Sequence, residues 1–152
     1  MKLSLFLTIL AALPLSAAEL VNADFNRFNA GVPAGWRETT GAVELKAAPP
    51  AGITMQIRRA DALDSSLEQL VKNPPKGVRL RFAATIQADR PKTAYLSVKL
   101  FRNGKEIRRI NSSLNKSDKQ RLAVNFDPSE ADAFSVHCRT KLSALTPRSL
   151  SA

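Results

Sequence analysis

Few side chains in this sequence are suited to chemistry. His137 is the only histidine and Cys138 the only cysteine among 152 residues. Hydrolysis and group transfer need a positioned base, a nucleophile or a metal, and a single histidine cannot form a multi-histidine metal site. His137 alternates with Val136 and Cys138, so we expect it to face solvent and Cys138 to be a small buried hydrophobe. The sequence therefore predicts a protein without catalytic activity.

A cluster of acidic residues offers a second place for chemistry. Asp127, Glu130 and Asp132 follow a predicted strand, and Pro128 lies between them. A solvated turn explains this cluster better than a cation site does. No spacing of carboxylates in the chain singles out the pair that a glycosidase uses.

The N-terminus has the order of a secretory signal. Lys2 precedes an apolar run from Leu3 to Leu13, and the small residues at 16–18 follow Pro14. The run is about eleven residues long, whereas a membrane-spanning helix needs about 20. We expect residues 1–18 to be a cleaved signal peptide and the mature protein to be secreted or periplasmic, with no transmembrane segment.

The chain is strongly basic, with 23 Lys and Arg against 13 Asp and Glu and a formal net charge of +10. Such a charge favours anionic partners: nucleic acid, acidic lipid headgroups, or acidic and sulfated polysaccharides. Export makes nucleic acid the least natural of these, and we expect no nucleic acid to bind. A merely soluble basic surface is the plainer alternative.

Period-two alternation of apolar and polar residues dominates the rest of the chain and predicts strands. In the clearest run, Val78, Leu80, Phe82, Ala84 and Ile86 share one face. Similar runs are Val43 and Leu45; Ile53, Met55 and Ile57; Leu96, Val98 and Leu100; Leu122, Val124 and Phe126; and Phe134, Val136 and Cys138. The segment from Ala62 to Val71 also fits helical spacing and stays ambiguous.

Turn signals separate these runs, and Asn103-Gly104 is the strongest of them. It predicts a hairpin between a strand near Tyr95–Arg102 and another near Lys105–Ile110. Many short alternating strands without a long amphipathic helix are typical of an all-β antiparallel sandwich or jelly roll. One such domain, residues 19–140, suits the length of the chain.

The order of several weak motifs resembles the CenC-like carbohydrate-binding modules, members of the galactose-binding-like β-sandwich superfamily. The motifs are Leu20-Val21-Asn22-Ala23-Asp24-Phe25, Val32-Pro33-Ala34-Gly35-Trp36, and Ser65-Ser66-Leu67-Glu68-Gln69, followed by the strand from Val78. The resemblance covers roughly residues 20–139. It implies that Trp36 covers one end of the core. It also implies that Asn22 and Asp24 lie where the family often holds a structural calcium ion, although no cofactor is required.

Two departures from that family stand out. The glutamate that follows the phenylalanine in the family is Asn26 here, and no acidic residue follows Asp132. Family members close the sheet with a final strand that carries an acidic pair. We therefore expect residues 141–152 to be an irregular or truncated tail, which would leave an open sheet edge.

The resemblance makes one row of side chains a candidate ligand surface. Tyr95, Ser97, Lys99 and Phe101 alternate with apolar residues and line one face of a strand. We expect Arg79, Arg81 and Gln87 to extend that row from a nearby strand.

The resulting expectation is an exported, non-catalytic module that binds a poly- or oligosaccharide, including an acidic one, or acts as a structural β-sandwich. A basic envelope-associated protein that binds anionic polymers without sugar specificity is the alternative. It would use Arg102, Lys105, Arg108 and Arg109 around the hairpin turn.

Overall fold

Twelve strands and no helix make up the part of the chain that the structure describes. The computed structural model describes residues 2–6, 20–39, 43–47, 53–57, 64–88 and 90–141. The strands are β1 (Lys2–Phe6), β2 (Phe28–Asn29), β3 (Val32–Pro33), β4 (Arg37–Glu38), β5 (Val43–Ala47), β6 (Ile53–Ile57), β7 (Asp64–Lys72), β8 (Leu80–Ala88), β9 (Ala94–Arg102), β10 (Lys105–Asn111), β11 (Lys119–Phe126) and β12 (Ala133–Lys141). The expected all-β antiparallel architecture is confirmed, and the ambiguous segment is strand β7.

Two five-stranded sheets form the body of the protein. The first has the order β11-β8-β1-β6-β5, and the second has the order β10-β9-β12-β7-β4. Every neighbouring pair in both sheets is antiparallel. β2 and β3 form a separate two-stranded hairpin.

In β8, β9, β11 and β12 the core lies where alternation predicts it, because the apolar residues of each of these strands share one face. The side chains of the predicted runs at Val43–Leu45 and Ile53–Ile57 lie outside the described part of the chain. Leu96, Val98 and Leu100 of β9 are fully buried. The other described strands contribute Leu67, Phe82, Ala84, Ile86, Leu122, Val124, Phe126, Phe134, Val136 and Cys138. Val78 was wrongly assigned to the core: it precedes β8 and is 48% exposed.

The Asn103-Gly104 hairpin is confirmed. β9 ends at Arg102, β10 begins at Lys105, and the two residues between them have φ values of 52° and 74°. Both values lie in the left-handed region, which asparagine and glycine tolerate best.

The loop before β4 is held by side chains rather than by a sheet. Trp36 is 6% exposed, its Nε1 donates to the carbonyl of Val21 at 3.1 Å, and its ring lies 5.0 Å from that of Phe25. Gln69 donates to the carbonyls of Val21 and Gly35, both at 2.9 Å, and accepts from the Val21 amide at 2.8 Å. Gly35 has a φ of +82°, and a Cβ there would lie 3.0 Å from Val21 Cγ1. This loop therefore closes one end of the core, as the sequence predicts for Trp36.

The two predicted terminal segments lie mostly outside the described residues. Of the predicted signal peptide the structure describes only β1, and of the predicted tail only Lys141. Signal cleavage stays a prediction. Within the described ranges no helix could cross a membrane.

Candidate functional site

The outer face of the second sheet carries the candidate site. Its side chains alternate with the buried ones of the core, and cross-strand pairing aligns Ser97 with His137 and His137 with Glu68. We call this surface the polar face. Its members include Arg37, Glu68, Leu70, Tyr95, Ser97, Lys99, Phe101, Glu106, Arg109, Ser135, His137 and Arg139.

His137 lies at the centre of the polar face, but the prediction that it contacts solvent is wrong. The residue is 1% exposed. β12 lies between β7 and β9 in the sheet, so His137 has a neighbouring strand on each side, with Glu68 opposite it on β7 and Ser97 opposite it on β9. Its Nε2 lies 2.7 Å from Ser135 Oγ, and its Nδ1 lies 3.2 Å from Glu68 Oε2. Alternation along β12 predicted the correct face for His137. It does not predict the exposed fraction of a side chain on that face, which depends on the residues of the neighbouring strands.

Burial decides the charge of this histidine. Desolvation lowers the pKa of His137 from 6.5 to about 4, against the opposing effect of Glu68. The positive charges of Lys99, Arg139 and Arg109 lower it further. The imidazole is therefore neutral at neutral pH.

Ser135, His137 and Glu68 have the residue types of a hydrolase triad. Neither the exposure of the serine nor the pKa of the histidine, however, suits catalysis. A catalytic serine must reach its substrate, and Ser135 is only 4% exposed. A histidine with a pKa of about 4 is a weak general base at neutral pH. The three side chains form a buried polar network rather than an activated nucleophile.

Cationic side chains exceed carboxylates on the polar face. The cationic side chains are Arg37, Lys99, Arg109 and Arg139, and the carboxylates are Glu68 and Glu106. Arg37 pairs with Glu68, although its own side chain is 77% exposed. Arg109 binds both carboxylate oxygens of Glu106, at 2.8 and 2.9 Å, and this contact lowers the pKa of Glu106. The surplus positive charge suits an anionic group on a ligand.

The middle of the polar face contains a buried polar atom without a hydrogen bond among the described residues. This atom is Ser97 Oγ; His137 Nδ1 also lacks hydrogen-bond geometry, but it lies 3.2 Å from Glu68 Oε2. Such atoms are rare in folded proteins and need a water or ligand partner. Lys99 Nζ lies 4.0 Å from Glu106 Oε2, at the far edge of ion-pair distance.

The aromatic residues of the row lie at its two ends. Tyr95 and Phe101 are half-buried on β9. The Arg139 guanidinium lies 5.5 Å from the centre of the Tyr95 ring, in a cation–π arrangement. One face of the Tyr95 ring is thus close to the Arg139 guanidinium.

Three predicted ligand residues belong to a different surface. Arg81 and Gln87 lie on β8, which pairs with β11 and β1 in the first sheet, and Arg79 immediately precedes β8. All three are exposed, but on the outer face of the opposite sheet. The expectation that they extend the row of Tyr95, Lys99 and Phe101 is wrong, because β8 and β9, although consecutive in sequence, lie in different sheets.

The basic hairpin and the acidic cluster meet each other. Arg102 and Arg108 each lie within 4.0 Å of Glu130. Asp132 Oδ2 accepts the Asn103 amide at 2.6 Å, and Asp127 Oδ1 accepts the Ser129 amide at 2.9 Å. These acidic residues are exposed, as a solvated turn requires, and they order the connection between β11 and β12.

The expected calcium ligands are engaged in folding the N-terminal loop. Asn22 Oδ1 accepts the Arg27 amide at 3.0 Å, and Asn22 Nδ2 donates to the carbonyls of Arg27 and Ala34. Asp24 is exposed and accepts from Asn26 Nδ2. Calcium takes six to eight oxygen ligands, and no cluster of three acidic, histidine or cysteine residues suited to a metal occurs in the described part of the chain. This arrangement fits a calcium ion poorly.

Comparisons with known proteins concern the fold. No family model and no curated protein matches the sequence. Among solved structures, the enzymatically active domain of tailspike protein 4 from bacteriophage CBA120 is 12% identical, with a TM-score of 0.55 over 77% of this chain and 19% of that chain. The carbohydrate-binding module TmCBM61, solved with β-1,4-galactotriose, is 15% identical, with a TM-score of 0.46 over 74% of this chain and 81% of that chain. The present chain thus spans about a fifth of the tailspike chain, and that likeness shows a shared all-β fold.

Proposed function

We propose that this chain is an exported, non-catalytic carbohydrate-binding module of the CenC-like type, and that its polar face binds an acidic poly- or oligosaccharide. The observation that carries the proposal is the alignment of polar and aromatic side chains across β9 and β12. Tyr95 lies opposite Arg139, Ser97 opposite His137, and Lys99 opposite Ser135. A continuous row of this kind offers hydrogen bonds and ring contacts to a linear ligand.

The chemistry of the polar face suits an acidic sugar. Hydroxyl groups of a sugar can accept hydrogen bonds from the ammonium group of Lys99, which is half-buried on β9. A carboxylate or sulfate group complements the net positive charge of the polar face, to which Lys99, Arg109 and Arg139 contribute. Tyr95 and Phe101 supply apolar surface for the sugar ring faces.

Three single variants test the proposal on a glycan array that includes uronate-containing and sulfated oligosaccharides. We expect Tyr95→Ala and Lys99→Ala each to weaken binding about tenfold, which corresponds to about 1.4 kcal/mol. Arg81→Ala, on the opposite sheet, is the matched control and should leave the affinity unchanged. Equal losses in all three variants, or none in the first two, would contradict a site on the polar face. Melting temperatures of all three establish that each variant is folded.

The alternative function rests on the hairpin. Arg102, Lys105 and Arg108 are exposed around the turn, and two of these three share the single carboxylate of Glu130. This local surplus of positive charge would hold anionic polymers of the cell envelope without sugar specificity. Neutralising Lys105 and Arg108 together should then abolish binding, whereas the polar-face proposal predicts that specific binding survives.

Calcium binding at Asn22 and Asp24 stays a prediction from the family resemblance. An ion that binds the folded state would raise the melting temperature in calcium relative to a chelator. An unchanged melting temperature would agree with the hydrogen bond that Asn22 Oδ1 already accepts from the Arg27 amide.

A further inference from the structure

An open groove lies beside β4, the edge strand of the second sheet. It is formed by Asn29 and residues 32–38, so the β2–β3 hairpin and β4 both contribute to it, and we call it the β4 groove. Its volume is about 440 Å³, within the range of about 300–1,000 Å³ that is usual for sites of small ligands. The groove is therefore large enough to hold a small ligand.

Hydrogen bonds within the loop fix the walls of the β4 groove. The Ala34 amide donates to the carbonyl of Arg27, and the Trp36 amide donates to the carbonyl of Pro33, both at 2.9 Å. The Asn22 side chain donates to the carbonyls of Arg27 and Ala34 at 2.8 and 3.2 Å. The groove is thus preformed, and a ligand that enters it does not have to order the loop.

The lining of the β4 groove combines apolar surface with a small number of polar groups, which is the usual composition of a ligand site. The apolar side chains include those of Val32, Pro33 and Trp36, and the polar ones are those of Asn29, Arg37 and Glu38. Apolar surface suits the C–H groups on the face of a sugar ring, whereas amide, guanidinium and carboxylate groups can bond its hydroxyls. This lining fits a sugar residue.

The β4 groove lacks the surplus of positive charge that is found on the polar face. Its lining contains one arginine and one glutamate. The guanidinium of Arg37 is already engaged, because its Nε and one terminal nitrogen both donate to Glu68 Oε1. A negatively charged sugar would meet the carboxylates of Glu38 and Glu68 there, and contact between like charges is unfavourable. A neutral sugar residue therefore fits the groove better than an acidic one.

Arg37 connects the β4 groove to the polar face, because it belongs to both. Its side chain is 77% exposed. A row of opposed residues leads from β4 across the sheet to β9, and its members are Arg37, Glu68, His137 and Ser97. This row covers three strand spacings of about 4.8 Å, or about 14 Å in all. An oligosaccharide that lies on the polar face can therefore continue into the groove at Arg37.

We propose that the β4 groove is a subsite for a neutral sugar residue. The inference rests on the proposed function, which supplies the chemical class of the ligand. The two surfaces differ in charge preference: the polar face, with its net positive charge, prefers an acidic sugar residue, whereas the β4 groove prefers an uncharged one.

Tryptophan fluorescence measures occupancy of the β4 groove directly, because Trp36 lines the groove and is the only tryptophan in the chain. The purified protein is titrated with the methyl glycosides of glucose, galactose and mannose, and with those of the three matching uronic acids. We expect at least one neutral glycoside to change the emission of Trp36 in a saturable manner at millimolar concentration. The matching uronate should bind about tenfold more weakly.

Single variants locate the binding of that glycoside. Asn29→Ala removes an amide that lines the groove and should lower the affinity about fivefold, as the loss of one neutral hydrogen bond predicts. Asn125→Ala is the matched control, because Asn125 is likewise exposed but lies on β11 in the first sheet, and it should leave the affinity unchanged. Lys99→Ala should also leave it unchanged, because Lys99 belongs to the polar face. Melting temperatures establish that all three variants are folded.

Three outcomes would overturn the proposal: no saturable response to any neutral glycoside, equal affinity for a neutral glycoside and its uronate, or equal effects of Asn29→Ala and Asn125→Ala. Loss of the response in Lys99→Ala would place the neutral sugar on the polar face and would likewise overturn the subsite. None of these measurements uses an acidic oligosaccharide, whose binding the glycan array tests separately. Failure of the β4 groove is therefore distinguishable from failure of the polar face.

Discussion

At the scale of single residues, His137 differs most from what its sequence context predicts. It is an outward residue of β12 that is nonetheless buried, between Glu68 on β7 and Ser97 on β9. Its neighbours include a carboxylate at 3.2 Å and three cationic groups. Burial and these cations outweigh the carboxylate, so folding favours the neutral ring.

This environment predicts a pH dependence of stability. The pKa of His137 is about 4 in the folded protein and 6.5 in the unfolded chain. Between these values the unfolded chain binds a proton that the folded protein does not, so stability is complete above pH 6.5 and falls as the pH drops towards 4. The loss attributable to His137 should approach about 3 kcal/mol. Urea unfolding at a series of pH values measures it.

The control for this prediction is His137→Gln, which keeps a polar side chain but cannot titrate. The variant should lose the slope between pH 6.5 and 4. The pKa values of Glu106 and Asp127 are lowered by Arg109 and Ser129 respectively from 4.5 and 3.8, so the stabilisation from these groups is lost only below about pH 4.5 and leaves the slope above that pH to His137. A variant with the wild-type slope would show that another group is responsible.

Gln69 is a residue whose contribution is structural. Its side chain makes three hydrogen bonds to the backbone of Val21 and Gly35 and is 5% exposed. Gln69→Ala leaves these backbone groups without their partner and should cost about 2–4 kcal/mol. Leu70→Ala is the control, because Leu70 is 54% exposed on the adjacent position. Comparable losses in the two variants, measured by urea unfolding, would contradict the role of the amide.

At the scale of elements, the β9–β10 hairpin follows its local sequence most closely. The two turn residues both adopt positive φ, and β10 pairs with β9 from Lys105 onwards. A bulge interrupts that pairing between Glu106 and Arg108. The bulge places Arg109 rather than Arg108 opposite Lys99, so it decides which of the two arginines lies on the polar face.

The turn makes a direct prediction about Gly104. Its φ of 74° lies in the left-handed region, and no atom lies within 4 Å of a Cβ built there. Gly104→Ala therefore meets only backbone strain and should lower stability by about 1 kcal/mol. Asn103→Gly retains a residue that adopts positive φ and should be neutral within about 0.5 kcal/mol. Thermal unfolding distinguishes the two, and a neutral Gly104→Ala would indicate that the turn rearranges.

At the scale of the whole molecule, the two sheets separate the basic residues into different surfaces. Arg81 and Gln87 face outward from the first sheet, whereas Lys99 and Arg109 face outward from the second. The formal charge of +10 is thus spread around the molecule rather than gathered at one site. Net charge alone consequently predicts weak attraction to any polyanion.

Ionic strength separates this general attraction from recognition. Raising salt from 0.1 to 1 M shortens the Debye length from about 10 Å to about 3 Å and should abolish non-specific polyanion binding. Binding at the polar face should weaken but persist, because apolar contacts with the rings of Tyr95 and Phe101 are not screened by salt. Affinities for one acidic oligosaccharide and for heparin, measured at both salt concentrations, test this. Equal loss for both ligands would favour the hairpin alternative.

The sequence by itself determined the strands, their inward faces and the hairpin turn, because alternation and turn propensity act between residues close together along the chain. It also identified Tyr95, Lys99 and Phe101 as one row. Only the tertiary structure decided that Arg79, Arg81 and Gln87 belong to the other sheet, that His137 is buried beside Glu68, and that Lys2–Phe6 lies between β6 and β8. These outcomes depend on which strands become neighbours, and strand order follows from packing between segments far apart in sequence, which periodicity does not encode.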